Sequence, residues 1–225
     1  PQLRKVIQPL SNGWFKLDFR YLRNPHAGYV KYEGHRPVIP TLFNKELEQL
    51  LGPARDPNVP LEQHHKDLAA SVQLVTEEII FHILEHLYKR TGLSDLCLAG
   101  GVAQNSVANG KITRNTAFKN VYVPSAGHDA GISMGAAMYV HHQLLNGKRM
   151  SPVFSAYLGP SFTNEAIEQL LSAEGMQWRR LADDELFDVV ASALAAGKVV
   201  GWFSGRAEFG PRALGGRSIL MDPRR

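Results

Sequence analysis

Residues 64–92, HHKDLAASVQLVTEEIIFHILEHLYKRTG, set Leu68, Val72, Val75, Ile79, Ile83 and Leu87 at intervals of three and four. Those intervals return to one side of a 3.6-residue turn, so the segment predicts one long amphipathic helix, stopped by Gly92 after two basic residues. DLCLAGG then reads as a short buried strand running into a glycine pair, and VAQNSVANGKITRN as a helix or helical turn. NVYVPSAGHDAG reads as a second strand ending in a loop, and ISMGAAMYVHHQLLNGK as a helix whose Gly135 and Ala137 permit close packing. Strands alternating with helices predict an α/β lobe with its loops gathered at the strand ends. Ligands bind at the carboxyl ends of strands in such sheets.

The flanks are less regular. Residues 1 to about 60 are rich in Pro, Gly and aromatics (SNGWFKLDFRYLRNPHAGYVKYEGHRPVIP) and predict short strands and loops. TLFNKELEQLLG predicts a helix from about Thr41, closed by Gly52, and GPARDPNVP a connecting loop. After NGKRMSP, a helix TNEAIEQLLSAEG with Thr163 as N-cap is expected, then a short strand MQWRRL. DDELFDVVASALAAG follows as a helix with acidic residues in its first turn, and KVVGWFS as a strand. These elements read as the beginning of a second α/β domain, because they do not make a finished sheet with both faces covered.

Composition narrows the class. The chain has 225 residues, 44% hydrophobic and 20% charged, the balance of a soluble globular protein with one large domain or two smaller ones. No apolar run is long enough to span a bilayer, and PQLRKVIQPL has no signal-peptide pattern. Cys97 is the one cysteine, so no intrachain disulfide can form and a reducing cytoplasm is the default location. Within DLCLAGG it is expected to be a small buried hydrophobe. The net charge is +4, and five arginines between Arg206 and Arg225 face only Glu208 and Asp222. That excess suits an anionic ligand and equally a solvated end.

Four stretches could carry chemistry. In LAGGVAQN, Gly100 and Gly101 would let the backbone approach a ligand at a new helix N-terminus, and Asn105 could hydrogen-bond a ribose or phosphate. The same glycine pair also makes a tight turn with no ligand, and alone it favours that reading. In VPSAGHDAG, Asp129 could ligate a hard cation with His128 beside it, or merely cap the helix that follows. His82 and His86 have metal-ligand spacing but lie near the apolar stripe with no third ligand nearby in sequence, so they read as packing residues. The adjacent pairs His64–His65 and His141–His142 diverge on a helix and read as surface residues. In GRAEFGPRALGGRSI, Arg206, Arg212 and Arg217 alternate with Gly205, Gly210, Gly215 and Gly216. Guanidiniums read phosphate bidentately and Pro211 stiffens the loop, which favours a phosphate site over a sticky surface loop. Nucleic acid is the lesser reading, since only Phe209 is interleaved.

HKDLAASVQ, LCLAGGVAQNSVANGKI, VYVPSAGHDAGISMGAA and GRAEFGPRALGGRSILMDPR, in that order, resemble the O-carbamoyltransferase family of nodulation and antibiotic-tailoring enzymes. The likeness extends from about residue 60, and FRYLR fits less sharply. The resemblance implies the second lobe of an actin-like, Kae1-type (ASKHA) domain over 1–150, followed by the beginning of a YrdC-like α/β domain over 151–225. The chain is then expected to be an internal fragment, inactive alone, of an enzyme that joins carbamoyl phosphate and ATP into carbamoyl adenylate. The enzyme would pass the carbamoyl group to a hydroxyl on a nodulation factor, antibiotic or other sugar-like compound. By position, the resemblance implies nucleotide contact at Gly100, Gly101 and Asn105. It likewise implies a divalent metal, iron by the family's pattern, at Asp129, and carbamoyl phosphate at Arg206, Arg212 and Arg217. Gly216 departs from the family's usual Asn, so one side-chain hydrogen bond is expected to be missing. The family's paired metal-ligand histidines have no counterpart here. A tRNA threonylcarbamoyl transferase and a non-catalytic nucleotide-binding module are the rival expectations.

Overall fold

The computed structural model describes residues 2–23, 31–38 and 41–224. The stretches 24–30 and 39–40 of the proline- and aromatic-rich region, and Arg225, lie outside the described residues. The chain divides into two compact units, one of Pro1–Leu96 with Asn105–Val121 and one of Cys97–Gln104 with Tyr122–Arg225. The second unit thus takes in residues 122–150 together with the segments after them.

In the first unit, β1 (Ile7–Pro9) pairs antiparallel with β2 (Phe15–Leu17), and β3 (Lys31–Glu33) with β4 (Arg36–Val38). The first helix, α1 (Lys45–Leu51), starts later than Thr41. The reason is tertiary: Phe43 bridges Leu22, and Arg23 N–H donates to the Leu42 carbonyl. Asn44 then fixes the entry, its side-chain amide donating to the carbonyls of Arg20 and Leu22.

The long helix is present as α2 (Gln63–Thr91), opened by a Glu62–His65 capping box and closed where Gly92 N–H donates to Tyr88 O. Its buried positions are Val75, Glu77, Ile79 and Leu84, not the whole expected stripe: Val72 is 47% and Leu87 39% exposed. Cover comes from short pieces only. VAQNSVANGKITRN forms a 3-10 turn (Val102–Gln104), α3 (Ser106–Asn109) and α4 (Ile112–Asn115). Ala108 and Ile112 are fully enclosed, and Phe118 meets Tyr88 edge to face at 5.7 Å. Glu77 accepts from Gln73 Nε2 (2.8 Å) and from Lys111 Nζ (2.7 and 2.8 Å), so the carboxylate inside this core is paired.

His82 and His86 are half-buried, and both serve packing. A His82 ring nitrogen meets Leu10 O at 2.9 Å, and the His86 ring fills the space beside Gly13.

β5 (Asp95–Cys97) and β6 (Asn120–Tyr122) form a two-stranded sheet. Leu96 is buried while Cys97 is exposed, correcting the expectation for the cysteine: on a strand neighbours point to opposite faces, and Leu96 takes the inward one.

The second unit contains α5 (Gly131–Tyr139), α6 (Asn164–Ala173), α7 (Asp183–Ala195) and a hairpin of β7 (Val200–Phe203) with β8 (Arg217–Leu220). Thr163 caps α6, accepting from Ala166 N–H. MQWRRL forms no strand, as no described segment pairs with it. Gly135 and Ala137 are exposed and the space beside Gly135 is open, so the close packing expected on α5 is not found among the described residues. Every sheet among the described residues is two-stranded, which makes the fold mixed α/β with small sheets. Among the described residues, the buried apolar side chains other than Ala126 belong to the first unit. No described helix is long and apolar enough to cross a membrane.

Candidate functional site

The second unit brings three of the four expected stretches together. Gly100, in left-handed backbone (φ 109°), donates its N–H to Gly127 O, joining the glycine turn to the SAGHDAG loop. Gly210 (φ 150°) lies so close to Ser125 that a Cβ would strike the Ser125 carbonyl, which joins the arginine loop to the same place. Around both glycines of the turn the space is open, with no atom within 4 Å of where a Cβ would stand.

Asn105 belongs to the first unit, where its side chain is already engaged. Its Oδ1 caps α3 through Ala108 N–H (3.1 Å), and it exchanges hydrogen bonds with the Gln73 amide (2.9 and 3.1 Å).

Asp129 is exposed, and its carboxylate bonds no described residue. The capping alternative is not realised, because Ala130 stands at the N-cap of α5 and no side chain caps that helix. Next to it, His128 Nδ1 is enclosed without a partner among the described residues, as is Gln104 Nε2. Gln104 packs on the loop, 2.5 Å from where a Cβ on Gly127 would be. Among the described residues no group of three or more His, Cys, Asp or Glu side chains converges, so these residues do not by themselves build a metal centre.

The arginine loop connects β7 to β8, a pairing the sequence pattern does not announce, and it divides its arginines by role. Arg206 donates to Gly159 O (2.9 Å) and Leu158 O (3.2 Å). Arg217 donates to the carbonyls of Gly216 (2.8 Å), Ser204 (3.2 Å) and Gly205 (3.3 Å), and its guanidinium stacks 3.4 Å over the Phe203 ring. Arg212 is exposed and bonds no described residue. Two arginines therefore hold the loop, and the third projects from it without a described partner.

Residues 156–160 run alongside the loop: Phe209 N–H donates to Ala156 O, Ala207 N–H to Pro160 O, and Tyr157 Oη–H to Leu214 O. Nothing in the sequence marks this segment, because it has no periodicity.

Glu208 likewise looks in sequence like a mere counter-charge. In the fold, Glu208 Oε1 accepts from the N–H groups of Leu214 (2.7 Å), Gly216 (2.7 Å) and Arg217 (3.3 Å). The Leu214 N–H above all, then its own and that of Gly216, hold this carboxyl down to about 2, against a burial effect of the opposite sign. Gly216 is enclosed, and a Cβ there would lie 2.6 Å from Arg206 O. An Asn at 216 would have to displace that carbonyl before its side chain could bond anything.

Two family models match the chain: Carbamoyltransferase N-terminus over residues 27–138 and Carbamoyltransferase C-terminus over residues 191–225. The chain belongs to the carbamoyltransferase family. It is 49% identical over 229 residues to an uncharacterized protein of Synechocystis sp., covering 99% of this chain and 35% of that protein. It is 43% identical to nodulation protein NolNO of Sinorhizobium fredii, covering 76% of this chain and 25% of that protein. To nodulation protein NolO of Bradyrhizobium diazoefficiens it is again 43% identical, over 76% of this chain and 31% of that protein. The chain thus spans about a third or less of these relatives.

Proposed function

We propose that the chain is part of an O-carbamoyltransferase that activates carbamoyl phosphate with ATP and passes the carbamoyl group from carbamoyl adenylate to a substrate hydroxyl. What supports this reading is one arrangement. The glycine turn and SAGHDAG loop lie in the part matched by the N-terminal model, the arginine loop lies in the part matched by the C-terminal model, and all three meet in one compact unit. For atoms to balance, carbamoyl phosphate yields its phosphate to water, leaving carbamate. A carbamate oxygen then displaces pyrophosphate from ATP, and the acceptor hydroxyl finally displaces AMP from the carbamoyl carbon.

In this scheme Gly100 and Gly101 leave backbone room for the nucleotide, and Arg212 presents a planar cationic fork to a phosphate. Asp129 would contribute its carboxylate to a divalent metal, iron by the family resemblance, whose further ligands are not among the described residues. By the family resemblance, the acceptor would be a sugar-like compound. The lobes would be the Kae1-type (ASKHA) and YrdC-like domains that the motifs resemble.

The test is the complete enzyme carrying Arg212→Lys. Breaking a charge-assisted hydrogen bond to a phosphate weakens binding by about ten- to a hundredfold. Pyrophosphate release dependent on carbamoyl phosphate should collapse, while transfer from supplied carbamoyl adenylate survives. Equal loss of both would make the loop structural, and loss of neither would leave Arg212 as solvated charge.

A further inference from the structure

Successive backbone N–H groups in a turn make a concavity that takes an anion, because their partial positive charges converge on one point. Leu214, Gly216 and Arg217 form such a nest, with Gly215 between them in left-handed backbone (φ 98°) and its own N–H donated to Ser218 Oγ. All three N–H groups aim at a single oxygen, Glu208 Oε1. The loop's cations are spent elsewhere: Arg206 and Arg217 donate to backbone carbonyls rather than to this carboxylate. Between Glu208 and the nest lie Phe209, Gly210, Pro211, Arg212 and Ala213, so closing the carboxylate onto the nest fixes the span that carries Arg212.

We infer that the Leu214–Arg217 nest is a small-oxyanion site that the chain fills with its own Glu208 carboxylate, and that this internal occupant shapes the loop so that Arg212 faces outward. The second half deepens the phosphate reading given above and rests on it; the first half does not. An external phosphate is then held by Arg212 and not by the nest. Removing the carboxylate would turn the nest into a binding site for formate or inorganic phosphate. The depressed pKa of Glu208 agrees with an acceptor held by several N–H donors.

The experiment is amide hydrogen exchange, read by NMR on the ligand-free chain, with and without Glu208→Ala. Loss of the carboxylate should speed exchange at Leu214, Gly216 and Arg217 by about tenfold or more. Formate, and separately inorganic phosphate, should then slow it again in a saturable way, while the native chain responds to neither. Unchanged exchange in the variant overturns the inference, and so does faster exchange that neither anion reverses. If the variant loses its helical circular dichroism, the Glu208 carboxyl carbon is titrated in the native chain instead. A midpoint well below the other glutamates supports the inference, and one among them overturns it. No nucleotide or carbamoyl phosphate is present, so failure here is separate from failure of the phosphate reading, which the Arg212→Lys measurement decides.

Discussion

Glu208 shows how far one residue's role can lie from its sequence appearance. Beside arginines it looks like charge balance, yet its partners are backbone N–H groups that no side-chain pattern announces. Its pKa falls from an ordinary 4.5 to about 2, so the folded state holds the charged form more strongly than the unfolded chain does. The resulting stabilisation is complete above about pH 4.5 and fades as pH falls through about 2. In acid unfolding followed by circular dichroism, Glu208→Gln should flatten the pH dependence within that window. An identical profile would mean that the carboxylate is no better held than in the unfolded chain. The glycine turn makes a second residue-scale test. Gly101 has open space around it and no left-handed backbone, so Gly101→Val should change stability by about 0.5 kcal/mol or less. Gly100→Ala must hold φ at 109° and should destabilise by about 1–3 kcal/mol. Nucleotide affinity of the complete enzyme, measured by calorimetry, should nevertheless fall in Gly101→Val. Undiminished affinity would leave that glycine no role at a ligand.

At the scale of elements, α2 was the most legible feature, because spacing, two terminal basic residues and Gly92 all agree on one helix. Which of its positions are buried was not legible. The stripe marks a side of the helix, but its cover comes from short pieces, Gln2–Lys5, β1 and Phe118 among them, which protect only part of it. Glu77 is the clearest miss, a charged residue that a polar pattern places outside and Lys111 allows inside. Neighbouring Glu85 offers a control, since it pairs with Lys89 on the exposed side of the same helix. Surface pairs of that kind stabilise little. Removing the buried Glu77 carboxylate takes from Lys111 its acceptor and from the Gln73 amide one of two, the other being Asn105 Oδ1. Glu77→Ala should therefore lower the thermal midpoint well beyond Glu85→Ala. Equal shifts in the two melting curves would remove the network from the account of this core. The same network takes in Asn105, the residue expected from the sequence at a nucleotide. An Asn opening a short helix after a glycine turn has the same pattern whether its amide meets a ribose or, as here, Ala108 N–H and Gln73.

At the scale of the molecule, the order of motifs was readable but their meeting was not. Ser125 and Gly210 are distant in sequence and fall within different family models, and no periodicity records that one glycine must give way to the other's carbonyl. That approach makes the candidate site a single place, and it can be tested by comparing two glycines of the same loop. Gly205 (φ 57°) and Gly210 (φ 150°) both hold backbone that L-residues avoid. A Cβ on Gly205 meets nothing within 4 Å, so Gly205→Ala carries the backbone penalty alone, about 1–2 kcal/mol. At Gly210 the backbone penalty reaches about 1–3 kcal/mol, and the new methyl also collides with the Ser125 carbonyl, which belongs to backbone and cannot rotate away. Gly210→Ala should thus destabilise the chain more than Gly205→Ala in thermal unfolding. It should also speed amide exchange at Ala126 and Phe209, on both sides of the contact, where Gly205→Ala leaves Ala126 unchanged. If Gly210→Ala unfolds the isolated chain outright, the same variant of the complete protein at low temperature carries the exchange measurement. Equal destabilisation by the two alanines, with Ala126 exchanging alike in both, would separate the arginine loop from the SAGHDAG loop and with it dissolve the assembled site.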